Sequence, residues 1–313
     1  MVRKHTRRAA KAAFAVSLGV ALLIGILTAG TAGAAKTRTA AKKPTIVLAT
    51  KNFTEAYIPG QRYGQALAAK GFHVVYKGQF KSSELADVAL RHKQINFLPE
   101  YTGIIVLDLL KAKTFPKTAA ATYKLAKQYE QKHGLTLLKQ TPFVDSDTVT
   151  MLTKTAQKDH LKTISDLKKV AHFSYAGFPE CKTRVTCLLG LKNVYGLKQV
   201  KFVSLGSISV YTLLDKGQIT SGDGFTTDPQ QNEKKYTALV DNKHIFGFQN
   251  VAPVLSQSLL KGSAGKTLAQ VCNKVSSLLT LKAMRAMDKA AYVQKATPQQ
   301  IAHGFLTANH LLK

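Results

Sequence analysis

The chain has 313 residues, 45% of them hydrophobic and 8% aromatic, enough apolar material for two ordinary cores, which excludes a disordered chain. Its 45 Lys and Arg against 17 Asp and Glu give a net charge of +28. That balance suggests nucleic acid, but the basic residues are scattered and none of them clusters with interleaved aromatics, so no nucleic-acid partner is expected.

The first 35 residues form an export leader. Arg3, Lys4, Arg7, Arg8 and Lys11 precede an uncharged run rich in Leu, Ile, Val and Ala. Ala32-Gly33-Ala34 then supplies a small-residue cleavage site. The residues around Arg7-Arg8 do not support a twin-arginine signal, and no Cys stands near the cleavage site to take a lipid. The uncharged run is also long enough to span a bilayer, so a cleaved signal and a retained N-terminal anchor both stay open. Without the five leader charges, 40 basic residues face 17 acidic ones, a net of +23. In an exported protein this charge suits attraction to an anionic envelope, lipid head groups or wall polymers, with a plain solubilising surface as the alternative.

Residues 36–43 read as a basic linker. From Ile46 onward apolar runs of strand type alternate with segments of helical periodicity. Strands are expected at 46–50, 73–78 and 95–98, with helices at 54–70, 83–92, 103–111 and 117–133. Apolar segments follow at 135–139 and 147–153. A second cycle begins near 164, with helices at 165–170, 185–195 and 208–216 and strands at 172–176, 200–203 and 218–221. A strand-like segment, Val251–Leu255, precedes a helical tail over 264–279, 281–293 and 298–311, whose last part opens on Thr297-Pro298. No internal repeat is evident. Strand–helix alternation in two cycles with a helical return predicts two α/β lobes and a cleft between them.

The turn Lys51-Asn52-Phe53-Thr54-Glu55 joins the first strand to the first long helix. Ligands of α/β domains sit at such turns, where helix N–H groups and Lys51 favour an anion or strongly polar group. A satisfied helix cap is the plain alternative. Cys181 and Cys187 are six residues apart and can close a small loop as a disulfide in an oxidising compartment. No metal site is expected, because no His or further Cys accompanies them at ligand spacing. Cys272 falls in the apolar pattern of a helix and reads as core. No Gly-x-Ser-x-Gly elbow, phosphate-binding glycine loop or His-Glu-x-x-His pattern is present. His73, His92, His133, His160 and His172 suit solvent-facing or strand-edge positions. Glu100 and Asp145 read as isolated carboxylates. Neither an enzyme nor a cofactor is expected.

Lys51-Asn52-Phe53-Thr54-Glu55, read with Leu98-Pro99-Glu100-Tyr101-Thr102-Gly103, resembles the substrate-binding proteins of osmoprotectant ABC importers, which carry glycine betaine, choline and related quaternary amines. Ser82-Ser83-Glu84-Leu85-Ala86-Asp87 is similar to the family's second-helix start. Pro179-Glu180-Cys181-Lys182-Thr183-Arg184, Gly190-Leu191 and Val194-Tyr195-Gly196-Leu197 resemble the second-lobe signature of actinobacterial members. Phe225-Thr226-Thr227-Asp228 and Asn250-Val251-Ala252-Pro253-Val254 match segments near the return crossing. The resemblance implies a bilobed type II periplasmic-binding-protein fold of two α/β lobes, with the ligand in the interlobe cleft. Residues 44–145 with 247–313 would form the first lobe and 146–246 the second.

By the same resemblance the ligand-binding residues are Lys51, Asn52, Tyr101, Arg184, Phe225 and Gln249. Lys51 and Arg184 would hold a ligand carboxylate, one from each lobe, and Tyr101 and Phe225 would wall an aromatic cage for the ammonium. The plain alternatives are a surface Lys, an Arg capping its own loop, and rings packed in a core. Three positions depart from the family pattern. Ile104 stands where many relatives have a hydroxyl, Thr148 or Val149 where a ring is common, and Gln249 at another usual ring position. The cage is thus expected to shrink from about four rings to two, forfeiting roughly 1–3 kcal/mol. The implied function is an extracytoplasmic solute receptor, monomeric, cell-surface associated or secreted, that delivers a small zwitterion or amine to a membrane permease. The alternatives are the same fold binding a carboxylated or amino-acid-like solute, or an envelope-associated protein with no transport role.

Overall fold

The computed structural model describes residues 43–312 apart from Phe53, Phe115 and Ser207. The leader and nearly all of the basic linker expected at the N-terminus lie outside the described residues. Among the described residues no helix is long and apolar enough to cross a membrane.

Among the described residues, ten strands divide into two sheets of five. The first holds β1 (Ile46–Lys51), β2 (Val74–Phe80), β3 (Phe97–Tyr101), β4 (Leu135–Leu137) and β10 (Val251–Ser256), in the order β2-β1-β3-β10-β4. The second holds β5 (Asp147–Leu152), β6 (Phe173–Gly177), β7 (Val200–Ser204), β8 (Ser221–Phe225) and β9 (Tyr236–Leu239), in the order β7-β6-β8-β5-β9. In each sheet the first three strands run parallel and the fourth runs antiparallel to both its neighbours. The two sheets therefore share one topology, although their sequences show no repeat. Each antiparallel strand, β5 or β10, is the first that the chain lays down after crossing between the sheets.

The helices are α1 (Thr54–Ala69), α2 (Ser83–Arg91), α3 (Thr102–Ile104), α4 (Ala119–Gln131), α5 (Thr153–Lys158), α6 (Leu188–Asn193), α7 (Val210–Asp215), α8 (Gly262–Leu278), α9 (Leu281–Tyr292) and α10 (Pro298–Ala308). Their ends follow the sequence signals. The Ser82 hydroxyl accepts from the Leu85 N–H at the start of α2, and Thr297 with Gln300 forms a capping box at the start of α10. Gly71, at φ +76°, sits just past α1 where only a residue without Cβ is unstrained.

Four differences from the sequence reading have physical causes. The helix expected over 103–111 begins as α3 and then widens over Ile105–Leu109 into a turn in which Leu110 N–H reaches Ile105 O at 2.8 Å. The extra residue per turn is the hallmark of a π-bulge. The segment read as a helix at 185–195 is a 3-10 turn over Pro179–Thr183 followed by α6, because the Cys181–Cys187 bridge interrupts it. The strand placed at 218–221 is β8, which starts three residues later at Ser221, where Ser-Gly-Asp-Gly lacks the apolar alternation that would announce it. Its glycines serve close packing, since a Cβ on Gly222 would lie 2.2 Å from Val210 Cγ2 of α7. The short edge strand β9 carries no sequence signal that marked it.

The first core gathers Ile46, Leu48, Ile58, Tyr63, Leu67 and Phe97 with residues of α8, α9 and α10, including Leu268, Cys272, Met284 and Ile301. The helical tail thus returns to the first sheet, and Cys272 is buried as expected. The second core holds Val149, Tyr175, Leu191, Tyr195 and Ile245 around the disulfide. The segments that pass between the sheets are tied to each other. Asp145 N–H donates to Gln249 O at 3.0 Å, and the Asn250 side-chain amide donates to Thr141 O and Phe143 O at 2.9 and 3.0 Å.

Candidate functional site: the interlobe cleft

A cavity of about 460 Å³ is lined by residues of both sheets. Lys51, Asn52, Tyr101 and Gln249 border it from the first sheet's segments, and Arg184 and Phe225 from the second's. The six residues singled out in the sequence thus stand around one space.

Their partners differ. Lys51, at the carboxyl end of β1, is buried, with Nζ 2.7 Å from Glu100 Oε1, 3.2 Å from Ser83 Oγ and 4.1 Å from the Tyr101 ring centre. Glu100 Oε1 also accepts the Tyr101 N–H at 2.6 Å. Glu100, read from sequence as isolated, is instead the counterion of Lys51, brought there because β3 lies beside β1. Gln249 is buried with both ends of its amide engaged: Oε1 accepts the Ile104 N–H and Nε2 donates to Phe246 O, each at 3.0 Å. Its side chain fits because residue 103 is Gly, where a Cβ would come within 2.5 Å of Gln249 Oε1. Gln249 therefore ties the turn after Tyr101 to the crossing segment.

Arg184 projects from the second lobe toward carboxylates of the first, with Nε 3.8 Å from Asp108 Oδ2 and Nη2 3.9 Å from Glu84 Oε2. The widened turn carries Asp108, which also accepts from Thr186 Oγ1 at 3.4 Å. Burial pushes Asp108 up to about 6, with the Arg184 guanidinium working against that rise. Cys181 and Cys187 are joined as a disulfide that brackets Arg184 in its loop. These sulfurs and Asp223 offer ligand atoms within 4.8 Å of one another, but sulfurs bonded to each other supply no thiolate for a metal.

Acidic residues are the part of the site to which the sequence reading gave no role. Glu55, Asp145, Asp147, Glu180, Asp223 and Asp228 all border the cavity. Asp145, read as isolated, is not: Thr227 Oγ1 lies 2.7 Å from both Asp145 Oδ1 and Glu55 Oε2. Burial, then the nearby charges of Asp145 and Asp288, raises Glu55 well above the usual carboxylate range. Burial likewise raises Asp145, against the hydrogen bonds from Glu55, Thr227 and Tyr101 that hold it down. The turn expected to attract an anion thus carries the chain's own acid, Glu55, in the first turn of α1, where the helix dipole suits it. In the second lobe, Asp147 and Asp223 lie near enough for each to shift the other's proton affinity. Desolvation and mutual repulsion push Asp223 well up, and desolvation with Asp145 nearby brings Asp147 to about 7. Tyr175 donates to Asp223 Oδ1 at 2.9 Å.

The aromatic lining also departs from expectation. Phe178 and Tyr292 join Tyr101 and Phe225 around the cavity, giving four rings where two were expected. Thr148 and Val149 do not border it, and the wall residue from β5 is Asp147. Phe178 precedes the 3-10 turn and Tyr292 ends α9, positions outside the family-like motifs, so only the fold could reveal them. The signal available for the acids was an Asp placed inside a strand-forming run, a residue type that sheets disfavour.

A family model described as the substrate-binding domain of the ABC-type glycine betaine transport system matches residues 44–308. A glycine-betaine-binding protein of Pseudomonas aeruginosa PAO1 is 28% identical over 288 residues, covering 87% of this chain and 90% of that protein. Among solved structures, a glycine betaine/carnitine/choline ABC transporter protein superposes with a TM-score of 0.71 at 20% identity, over 86% of this chain and 100% of that one. The lactococcal OpuAC, closed around glycine betaine, gives 0.61 at 16% identity, over 86% of this chain and 98% of that one. At these identities the structural matches speak for the fold, a bilobed α/β architecture.

Proposed function

The chain belongs to the family of substrate-binding domains of ABC-type glycine betaine transport systems, and we propose that it is an extracytoplasmic, non-enzymatic receptor for a small osmoprotectant of the glycine betaine and choline class. One observation carries the reading: side chains from two sheets of matching topology face one cavity, in the manner of a cleft that closes on its solute by hinge motion. The chain divides into a lobe of residues 44–145 with 247–313 and a lobe of 146–246, which follows the membership of the two sheets. Arg184 takes the solute carboxylate with its fork of donors, and Tyr101, Phe225, Phe178 and Tyr292 face the alkylated nitrogen, each ring worth roughly 0.5–2 kcal/mol when desolvated. Asn52 stands at the rim, while Lys51 and Gln249 shape the wall through the partners that they already hold. The protein acts as a monomer that passes its solute to an ABC permease, and its positive surface favours an anionic envelope.

Thermal denaturation with millimolar glycine betaine, choline, carnitine and amino acids tests the reading. At a hundredfold excess over Kd a bound solute adds about 2.7 kcal/mol, which raises Tm by roughly 5–10 °C for a protein of this size. If none of these solutes moved Tm, the receptor reading would fall. Light scattering that gave a dimeric mass would overturn the monomer.

A further inference from the structure

Six of the 17 acidic residues of this basic chain border its cavity, against three basic ones, Lys51, Lys81 and Arg184. Of these three, Lys51 is paired with Glu100 at 2.7 Å, and Arg184 faces Asp108 and Glu84 at 3.8 and 3.9 Å. The carboxylates are less well served. Asp223 receives the Tyr175 hydroxyl on Oδ1, while Oδ2 lies 3.8 Å from Cys187 Sγ, a disulfide sulfur with no proton to give. Asp147 pairs with Phe225 across the β5–β8 ladder, and Asp223 pairs with Val149, which sets both carboxyls on one face of the sheet. Among the described residues, Glu55 Oε1 is buried and has no hydrogen-bond partner, on a residue that is 5% exposed and borders the same cavity.

We propose that this cavity selects a cation that carries N–H donors, a protonated primary, secondary or tertiary amine, over one whose nitrogen is fully methylated, with Asp147 and Asp223 as the receiving pair. The inference rests on the receptor reading and shifts the preferred solute from the quaternary amines to their less methylated, N–H-bearing analogues. A buried carboxylate that meets a shell of methyl groups gains Coulomb attraction but no hydrogen bond, and the lost water is not replaced. An ammonium N–H restores that bond and makes it charge-assisted. The four rings accommodate the remaining N-alkyl groups of either kind of cation. Burial and neighbouring carboxylates raise the affinity of both carboxyls for protons, which suits a pair that meets an N–H donor.

Calorimetric titration of the protein with glycine betaine, N,N-dimethylglycine and sarcosine, at constant pH, isolates the N–H count. The dimethyl compound is expected to bind about tenfold more tightly than the trimethyl one, the worth of one charge-assisted bond. In Asp223→Asn, and separately in Asp147→Asn should the first fold poorly, the preference is expected to shrink to about threefold or less. Equal or tighter binding of glycine betaine by the unaltered protein would overturn this selectivity and leave the receptor reading standing. A preference that survived both substitutions would overturn the assignment to this pair. If no member of the series bound, the selectivity and the receptor reading would fall together.

Discussion

In the wall that the first lobe contributes to the cleft, Lys51 and Gln249 are already engaged within the protein: Lys51 is buried against Glu100, and the Gln249 amide is spent on two backbone groups. In the wall from the second lobe, Asp147 and Asp223 crowd each other, and Arg184 reaches for carboxylates 3.8–3.9 Å away on the other side. An engaged side chain holds shape, and one with weak partners has interaction energy left for a solute. The two cations that family resemblance cast as one clamp are therefore physically unlike. Lys51 is a structural residue that borders the site, and Arg184 is a residue with capacity to spare.

Lys51→Met breaks this comparison most severely. It leaves Glu100 buried without its counterion, which costs roughly 3–5 kcal/mol, and a Tm loss of roughly 6–15 °C in calorimetry is expected. An unchanged Tm would show that this pair does not hold the first wall. Arg184→Ala does the reverse. Its ion pairs are long and partly exposed, so Tm stays within about 2 °C. Affinity for a carboxylated solute falls about a hundredfold, the worth of a bidentate charge-assisted contact. Unchanged affinity by calorimetry would remove Arg184 from the clamp.

Removing the bridge with Cys181→Ser and Cys187→Ser frees the loop that presents Arg184. Closing so short a loop is worth about 2 kcal/mol, so Tm drops by roughly 4–8 °C and affinity falls by less than in Arg184→Ala. A loss of affinity as large as that of Arg184→Ala would mean that the bridge, rather than the guanidinium, makes the site. Stability also depends on pH. Asp288 lies buried behind Glu55 with neither carboxyl oxygen hydrogen-bonded among the described residues, and burial raises it to about 8. The folded chain keeps that proton between about pH 4 and 8 while the unfolded chain gives it up. Stability is thus full at low pH within this window and declines as pH rises toward 8. Asp147 at about 7 and Glu130 at about 8 add to the same slope. Asp288→Asn should reduce the Tm difference between pH 5 and pH 8, and an unaltered difference would clear Asp288 of the effect.

The sequence carried the fold because strand and helix periodicities are local and each lobe repeats the same alternation. The end of β1, the cap of α2 at Ser82 and the opening of α10 at Thr297 were all legible for that reason. The short edge strand β9 and the displaced β8 were not, because Ser221-Gly222-Asp223-Gly224 is placed by close packing against α7 rather than by propensity. For the site, six residues could be named because they sit in ordered motifs. The grouping of the acids was not legible, since Glu55 and Asp145 lie 90 positions apart in the chain and the fold brings both to Thr227. Phe178 and Tyr292 escaped for the same reason: a ring at the end of a helix looks like any surface aromatic until the fold turns it toward a cavity.

The most direct test is a crystal structure of the protein with its tightest solute bound. The account predicts the solute between the two sheets, its carboxylate on Arg184 and its nitrogen within hydrogen-bonding distance, about 3 Å, of Asp147 or Asp223. A solute held outside the cavity, or with its charged ends reversed so that its carboxylate faces Asp223, would contradict it.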